Sequence, residues 1–152
     1  MSSSKEKQRE FFTRQCLLAN ELDMPVIVHD REAHGDTLDI LKQTQPKGVV
    51  HCFSGSKEMA QEVIRLGMYI GLNGVATFKN ARKSLEVAKT IPIERLVLET
   101  DCPYLAPEPF RGRRNDSSYI IYIANRLAPE LNVSAQELLS ITNENARRLY
   151  NM

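Results

Sequence analysis

Four short apolar runs recur along this chain, and a polar residue stands at or just beyond the end of each. The runs occupy residues 25–28, 48–50, 69–72 and 96–98, and the polar residues are His29, His51, Asn73 and Asp101. Because the runs are apolar throughout rather than alternating, they are typical of strands covered on both faces in a parallel sheet. This recurrence limits the fold more than any other feature of the sequence.

Helical patterns separate the apolar runs. Ala60, Val63 and Ile64 recur at the spacing of one helical face, and similar stripes precede the first run and the fourth. Ser3 and Glu6 have the spacing of a capping box, which would open a helix before the first strand. Strand starts at 26, 49, 69 and 96 lie 20 to 27 residues apart, which predicts a βα repeat with parallel strands and right-handed crossovers.

The pattern changes after the fourth run. A long loop with three prolines follows and carries a basic segment at 110–115. Two helices, at about 117–128 and 134–150, close the chain, and Ser134 with Glu137 forms a capping box for the second. With no linker or low-complexity segment in 152 residues, we predict a single α/β domain.

The charge, the cysteines and the hydropathy set limits on partners and location. Lysine and arginine number 20 against 19 acidic residues, so any nucleic-acid contact must come from a local patch. Three cysteines are an odd and sparse set, which favours reduced thiols in a cytoplasmic protein. No apolar run approaches the roughly 18 residues of a membrane span, and the start of the chain lacks a signal sequence, so we expect no membrane partner.

Two histidines and an aspartate at strand ends point to a metal site. In parallel α/β folds the carboxyl ends of strands meet at one edge, which would bring His29, His51 and Asp101 together. Imidazole and carboxylate donors suit zinc, manganese or similar ions. A single strand-end histidine is more often a packed side chain, but two in the same register favour a shared site. Glu99 has the same parity as Asp101 and is expected to support it, or to form a buried ion pair.

The neighbouring cysteines and the third histidine have simpler interpretations. Cys52 and Cys102 each stand beside a predicted ligand and should point to the opposite face as small buried apolar residues. His34 lies beyond its strand end, where a surface or loop position is expected.

The basic segment offers a surface for phosphate groups. Arg111, Arg113 and Arg114 could bind phosphates, and the rings of Tyr104 and Phe110 could stack on bases. Lys79, after the third strand, is a weaker candidate on the same rim. The alternative is an ordinary solvated loop. Its place directly after Asp101 favours substrate binding.

Six motifs in a fixed order resemble those of the TatD-type deoxyribonucleases. They are Val26–Glu32 (VIVHDRE), Val49–Gly55 (VVHCFSG), Thr77–Asn80 (TFKN), Leu98–Leu105 (LETDCPYL), Arg111–Asn115 (RGRRN) and Thr142–Leu149 (TNENARRL). The resemblance implies a TIM barrel of the amidohydrolase type that cleaves DNA phosphodiester bonds through a metal-activated water. It makes His29 and His51 ligands of one divalent ion, and Asp101 a ligand of the other and the general base. Magnesium, manganese or zinc would serve, two ions per complete site, with single-stranded DNA as one candidate substrate.

Two features of that family are missing from this sequence. The family's first strand carries His-x-His and its fourth supplies a bridging glutamate, whereas the three histidines here, at 29, 34 and 51, are never two apart. Four strands are predicted where a TIM barrel has eight. We therefore expect the second half of the barrel, strands five to eight, and inefficient catalysis by this chain.

Two other functions remain open. The chain could be a non-catalytic half-barrel that self-associates or docks on an N-terminal partner, because a half-barrel leaves open strand edges. It could instead hydrolyse an ester or amide that is not a nucleic acid, since such barrels host many reactions. The arginines of the rim favour a phosphate-bearing substrate over the last option.

Overall fold

Four parallel strands form one sheet in the order in which they occur along the chain. In this computed structural model, which describes residues 4–152, the strands are β1 (Val26–His29), β2 (Gly48–His51), β3 (Tyr69–Leu72) and β4 (Leu96–Leu98). The predicted parallel α/β architecture is confirmed. That these strands are the fifth to eighth of a barrel stays a prediction.

Within residues 4–152, six α-helices precede, connect and follow the strands. They are α1 (Lys5–Glu21), α2 (His34–Thr44), α3 (Lys57–Arg65), α4 (Arg82–Thr90), α5 (Ile120–Leu127) and α6 (Ala135–Tyr150), with short 3-10 helices at Gly74–Thr77, Ile93–Arg95, Ser117–Tyr119 and Ala128–Leu131. Ser134 Oγ accepts the Glu137 amide at 3.1 Å, as the capping box predicts. Ser3 lies outside the described residues, and α1 is capped instead by Ser4, whose Oγ accepts the Lys7 amide at 3.3 Å.

The two faces of the sheet have different surroundings. Side chains alternate along each strand, so Val28, Val50, Ile70 and Leu96 point to one face, where they join the main hydrophobic core under the helices. On the opposite face Val49 and Val97 form a separate small cluster with Leu149 of α6. His29, His51 and Glu99 share the parity of this second face. The candidate ligands therefore lie on the face away from the main core.

The β1 edge of the sheet is uncovered. Ile27 of this strand is 62% exposed, and Leu22 and Met24, in the turn before it, are exposed as well. Together with α1, the strand lines a largely apolar groove of about 580 Å³. Because β1 has only one neighbouring strand, its outer peptide groups are free to pair with another strand. Among residues 4–152 no helix has the length and hydropathy to cross a bilayer.

Candidate metal and substrate site

Three side chains converge at the carboxyl end of the sheet. His51 closes β2, and its Nδ1 lies 3.6 Å from Glu99 Oε1 and 3.7 Å from Asp101 Oδ1, both of which follow β4. One ligand atom from each of the three lies within 4.8 Å of the others. We call His51, Glu99 and Asp101 the acid–histidine cluster. The parallel register brings these residues together although they come from two non-adjacent strands.

His29 lies beside this cluster. It is paired with His51 in the β1–β2 register, and its Nδ1 is 2.9 Å from His51 Nε2. The two ring centroids are 5.1 Å apart. His29 is exposed and contacts the cluster through His51, whose other nitrogen faces the carboxylates. The structure thus brings all three predicted ligands together, with His51 at their centre.

Glu99 has a more direct place in the candidate site than its sequence position indicated. Its Oε1 accepts a hydrogen bond from the Cys52 amide, at the point where β2 ends and Cys52 takes a left-handed backbone conformation with φ 46°. Gly71 of β3 leaves room for the same carboxylate, because a Cβ there would lie 2.8 Å from Glu99 Oε2. The side chain was expected to support Asp101 or to form a buried ion pair, and it lies within the cluster, at ion-pair distance from His51.

Burial shifts the pKa of Glu99. Desolvation raises the pKa of this carboxyl above its ordinary value, and the nearby Asp101 charge raises it further. The Cys52 amide and His51 oppose this shift because both favour the carboxylate. Two acidic groups in one partly buried site repel each other, and a cation bound between them would remove that repulsion.

The donor chemistry of the cluster fits a divalent metal ion. An imidazole nitrogen and two carboxylates form a hard to borderline set that suits zinc, manganese or magnesium. Gly71 leaves space for the Glu99 carboxylate, and the Cys52 amide orients this carboxylate by a hydrogen bond. Outer contacts of this kind orient metal ligands. The residues present therefore fit the cation that the sequence predicted.

The cysteines and His34 lie outside this ligand set. The expectation that both cysteines are small buried residues is wrong for Cys102, which is exposed, and Cys52 is only half-buried. Beyond Leu98 the strand has ended, so alternation no longer assigns Cys102 to a face. His34 begins α2 and its Nδ1 lies 2.8 Å from Asp30 Oδ2, away from the cluster.

The basic loop packs against the rim of the site. Phe110 stacks on Tyr119 with centroids 4.4 Å apart and meets Tyr122 edge-on at 4.9 Å. Phe110, which is only partly buried, thus helps to anchor the loop, and its stacking on a base stays a prediction. Tyr104, in contrast, is 73% exposed and free to stack.

Hydrogen bonds fix the ends of this loop. The buried Asn115 side chain donates from Nδ2 to the Tyr104 carbonyl at 2.6 Å, and the backbone N–H of Asn115 donates to the Pro103 carbonyl at 2.9 Å. The Glu108 amide donates to Thr77 Oγ1 at 2.8 Å, which ties the loop to the turn after β3. A loop held at several points presents its charged side chains in a defined place.

The four predicted substrate-binding cations are all exposed. Arg111, Arg113, Arg114 and Lys79 lie at the surface. Arg111 is held with its guanidinium over the Phe78 ring, 4.3 Å from the centroid. None of these four side chains forms a salt bridge with a carboxylate of residues 4–152. They form a basic rim that makes no salt bridge with the described residues. Asp116 lies beside Arg114, and the pKa of this carboxyl is lowered by hydrogen bonding with Ser118 and, to a smaller degree, by the charge of Arg114.

Comparison with known proteins decides the family. The sequence profile described as TatD related DNase matches residues 1–151. The chain belongs to the TatD family. A metal-dependent hydrolase from Bacillus subtilis, YabD, is 46% identical over 97% of this chain and 59% of its own length.

Two further TatD-family proteins extend the comparison. A protein from Pantoea vagans named 3'-5' ssDNA/RNA exonuclease TatD is 36% identical over 99% of this chain and 61% of its own length. The crystal structure of YJJV, a TatD homologue from Escherichia coli, superposes with a TM-score of 0.89 at 31% identity and covers 97% of this chain and 57% of that protein. The chain thus spans about three fifths of the length of the relatives it matches.

Proposed function

We propose that this chain carries part of the metal centre of a nuclease that hydrolyses DNA phosphodiester bonds. The convergence of His51, Glu99 and Asp101 at the carboxyl end of the sheet is the observation that carries the proposal. The basic rim beside the cluster supports a phosphate-bearing substrate. An ester or amide of another class is less favoured, because nothing in such a substrate would need these arginines.

The metal would be held by the acid–histidine cluster. His51, through Nδ1, Glu99 and Asp101 would bind one divalent ion, and His29, which contacts His51 Nε2 on the other side of the ring, would orient that ring. When bound, magnesium, manganese or zinc would lower the pKa of a water and polarise the phosphate. The family pattern predicts a second ion, for which additional ligands would be needed.

The chain's own side chains divide the remaining work. Asp101 would accept the proton from the attacking water as the general base, while the Cys52 amide holds the Glu99 carboxylate in a fixed orientation. Tyr104 would stack on a base. Arg113, Arg114 and Lys79 would bind phosphates along the strand, and this binding weakens with salt.

Single-stranded DNA is the substrate form we propose. The name of the Pantoea vagans relative assigns single-stranded nucleic acid to that protein. In this chain an exposed aromatic ring beside unpaired cations is the combination that single-strand binders use. In an intact duplex the bases are paired and stacked on one another, so none is free to stack on Tyr104.

The decisive experiment measures cleavage of a labelled single-stranded oligonucleotide with added Mn²⁺ or Mg²⁺. We expect slow cleavage that stops in EDTA and falls at least about 100-fold in His51→Ala and Asp101→Asn. His34→Ala is the matched control, because this histidine bonds to Asp30 outside the cluster. Equal activity in His51→Ala and His34→Ala would contradict the proposal, and inactivity of the parent protein would refute hydrolysis by this chain alone.

A second candidate function is association without catalysis. The uncovered β1 edge and its apolar groove support docking of a second copy or of an N-terminal half-barrel. Ile27→Lys should abolish association measured by sedimentation velocity, whereas Ile121→Lys, on exposed α5 surface, should not. A parent protein that stays monomeric at all concentrations would rule out the second copy.

A further inference from the structure

A second cavity opens beside the acid–histidine cluster without including any of its three members. It has a volume of about 290 Å³ and lies between the loop after β2, the Gly74–Thr77 turn, the start of α4 and the basic loop. Cys52, the residue after His51, forms part of its wall, so the cavity adjoins the cluster. We call it the Arg111 pocket.

We propose that the Arg111 pocket binds one nucleotide unit of the substrate strand, with its phosphate on Arg111 and Lys83 and its base against the apolar wall. This inference rests on the proposed function, which it deepens by naming what the neighbouring pocket recognises. Lys83 was not among the residues that the sequence suggested, because its position on α4 gives no sign that it faces the same cavity as Arg111.

Two cations line the pocket. Arg111 is held over the Phe78 ring with 4.3 Å between the guanidinium carbon and the ring centroid. Neither Arg111 nor Lys83 forms a salt bridge within the part of the chain that the structure describes. A guanidinium already oriented by an aromatic ring loses little freedom when it binds a phosphate.

The remaining wall is suited to a base rather than to a bare anion. Phe53, Val75 and Ala76 supply apolar surface, and Asn80 supplies an amide at the same pocket. Asn73 is 3% exposed, and among residues 4–152 its Nδ2 has no hydrogen-bond partner of ordinary geometry. The Cys52 thiol, a weak acceptor, interacts with this side chain. A base carbonyl is a stronger acceptor for such a buried donor.

The size of the pocket selects a single unpaired unit. Its volume of about 290 Å³ lies just below the usual range of ligand pockets, about 300 to 1,000 Å³, so it has room for one nucleotide unit at most. A base that remains paired in a duplex has no access to a pocket of this kind, so the substrate must present an unpaired nucleotide beside the cluster. This arrangement favours a single-stranded substrate for a reason independent of the basic rim.

Binding without metal tests this assignment separately from catalysis. Thymidine monophosphate is titrated into the full chain in EDTA by calorimetry, beside thymidine and inorganic phosphate as partial ligands. We expect thymidine monophosphate to bind at least about tenfold more tightly than either partial ligand. Lys83→Gln and Arg111→Gln should each weaken it about tenfold, whereas Lys7→Gln, an exposed lysine on α1, should not.

Each other result overturns the inference. If inorganic phosphate binds as tightly as thymidine monophosphate, the pocket is an anion site only. If thymidine binds as tightly as thymidine monophosphate, Arg111 and Lys83 do not contact the phosphate. Equal affinity in Lys83→Gln, Arg111→Gln and Lys7→Gln would place the ligand elsewhere. Circular dichroism of each variant, together with the charge reversal Lys83→Glu, separates a lost contact from a lost fold. The titration contains EDTA and no metal, so it measures nucleotide binding independently of whether the protein cleaves DNA in the other assay.

Discussion

Gly71→Ala should weaken metal binding while leaving the fold intact. The added Cβ would lie 2.8 Å from Glu99 Cδ and Oε2 and 3.0 Å from Oε1. To regain ordinary contact at about 3.4 Å the carboxylate must move by at least about 0.6 Å. That movement pulls it away from the Cys52 amide and from His51. Loss of such outer support costs about 10- to 100-fold in metal affinity.

The stability of the protein should change little. Alanine restricts the unfolded chain and stabilises a compatible site by about 0.4–1 kcal/mol, which offsets part of the cost of moving Glu99. Gly71 has no left-handed backbone angle, so the substitution itself causes no backbone strain. The net change in unfolding free energy should therefore stay within about 1 kcal/mol.

Two measurements on the same protein separate these effects. Calorimetric titration with Mn²⁺ gives the dissociation constant, and urea unfolding in EDTA gives the stability of the metal-free fold. Gly35→Ala, in α2 with nothing within 4 Å of the added Cβ, is the matched control and should keep full metal affinity. Unchanged Mn²⁺ affinity in Gly71→Ala would show that Glu99 is not a ligand and would refute the reasoning.

Three further predictions follow from named contacts. In Asn145→Ala the Ile93 and Leu96 carbonyls lose hydrogen bonds of 2.8 and 2.7 Å. The free energy of unfolding in urea should therefore fall by about 2–3 kcal/mol. The exposed control Asn143→Ala should lower it by less than about 0.5 kcal/mol. Because burial raises the pKa of Glu99, the metal-free fold binds its proton more tightly than the unfolded chain, and stability should fall as pH rises from the ordinary carboxyl pKa to the folded one. Glu99→Gln should flatten this fall in urea unfolding at a series of pH values and stabilise the fold at neutral pH; a variant less stable there would contradict the sign. Replacing Arg113 and Arg114 by Gln should lower the salt slope of single-strand binding by about 0.7 per residue, measured by fluorescence anisotropy, and an unchanged slope would remove them from the interface.

The sequence alone was sufficient for the sheet and for the position of the candidate site. Apolar runs without alternation are typical of strands covered on both faces, and their spacing favours parallel crossovers. The expected cover on both faces is wrong for β1, where Ile27 is 62% exposed because no further strand or helix of residues 4–152 lies over that edge. Parallel strands end at one edge, so the His29–His51 pairing followed from the pattern itself. The apolar runs recur at regular spacing along the sequence. Such a spacing is visible without knowing which residues each one contacts in the fold.

Contacts between distant segments could not be read in this way. The Cys52 amide meets Glu99 across 47 positions, and no spacing encodes that bond. The contacts of Phe110 with Tyr119 and Tyr122, in the elements that follow the loop, likewise have no signal in the sequence. Cys102 was assigned to a face by alternation, and alternation has no meaning beyond the end of β4. Each of these depends on where a loop leads, which the sequence pattern does not specify.

The two faces of the sheet explain why stability and chemistry can be tested apart. The main core under the helices takes the side chains of one face, and the candidate ligands lie at the carboxyl end of the other face, beyond the small cluster of Val49, Val97 and Leu149. Glu99 and Asp101 therefore gather two like charges without interrupting that core, and the resulting repulsion is confined to the sheet's carboxyl end. The same separation predicts that changes at Gly71 and Glu99 alter metal affinity with little loss of fold, while Asn145, which ties α6 to β4, alters the fold with little direct effect on the ligands.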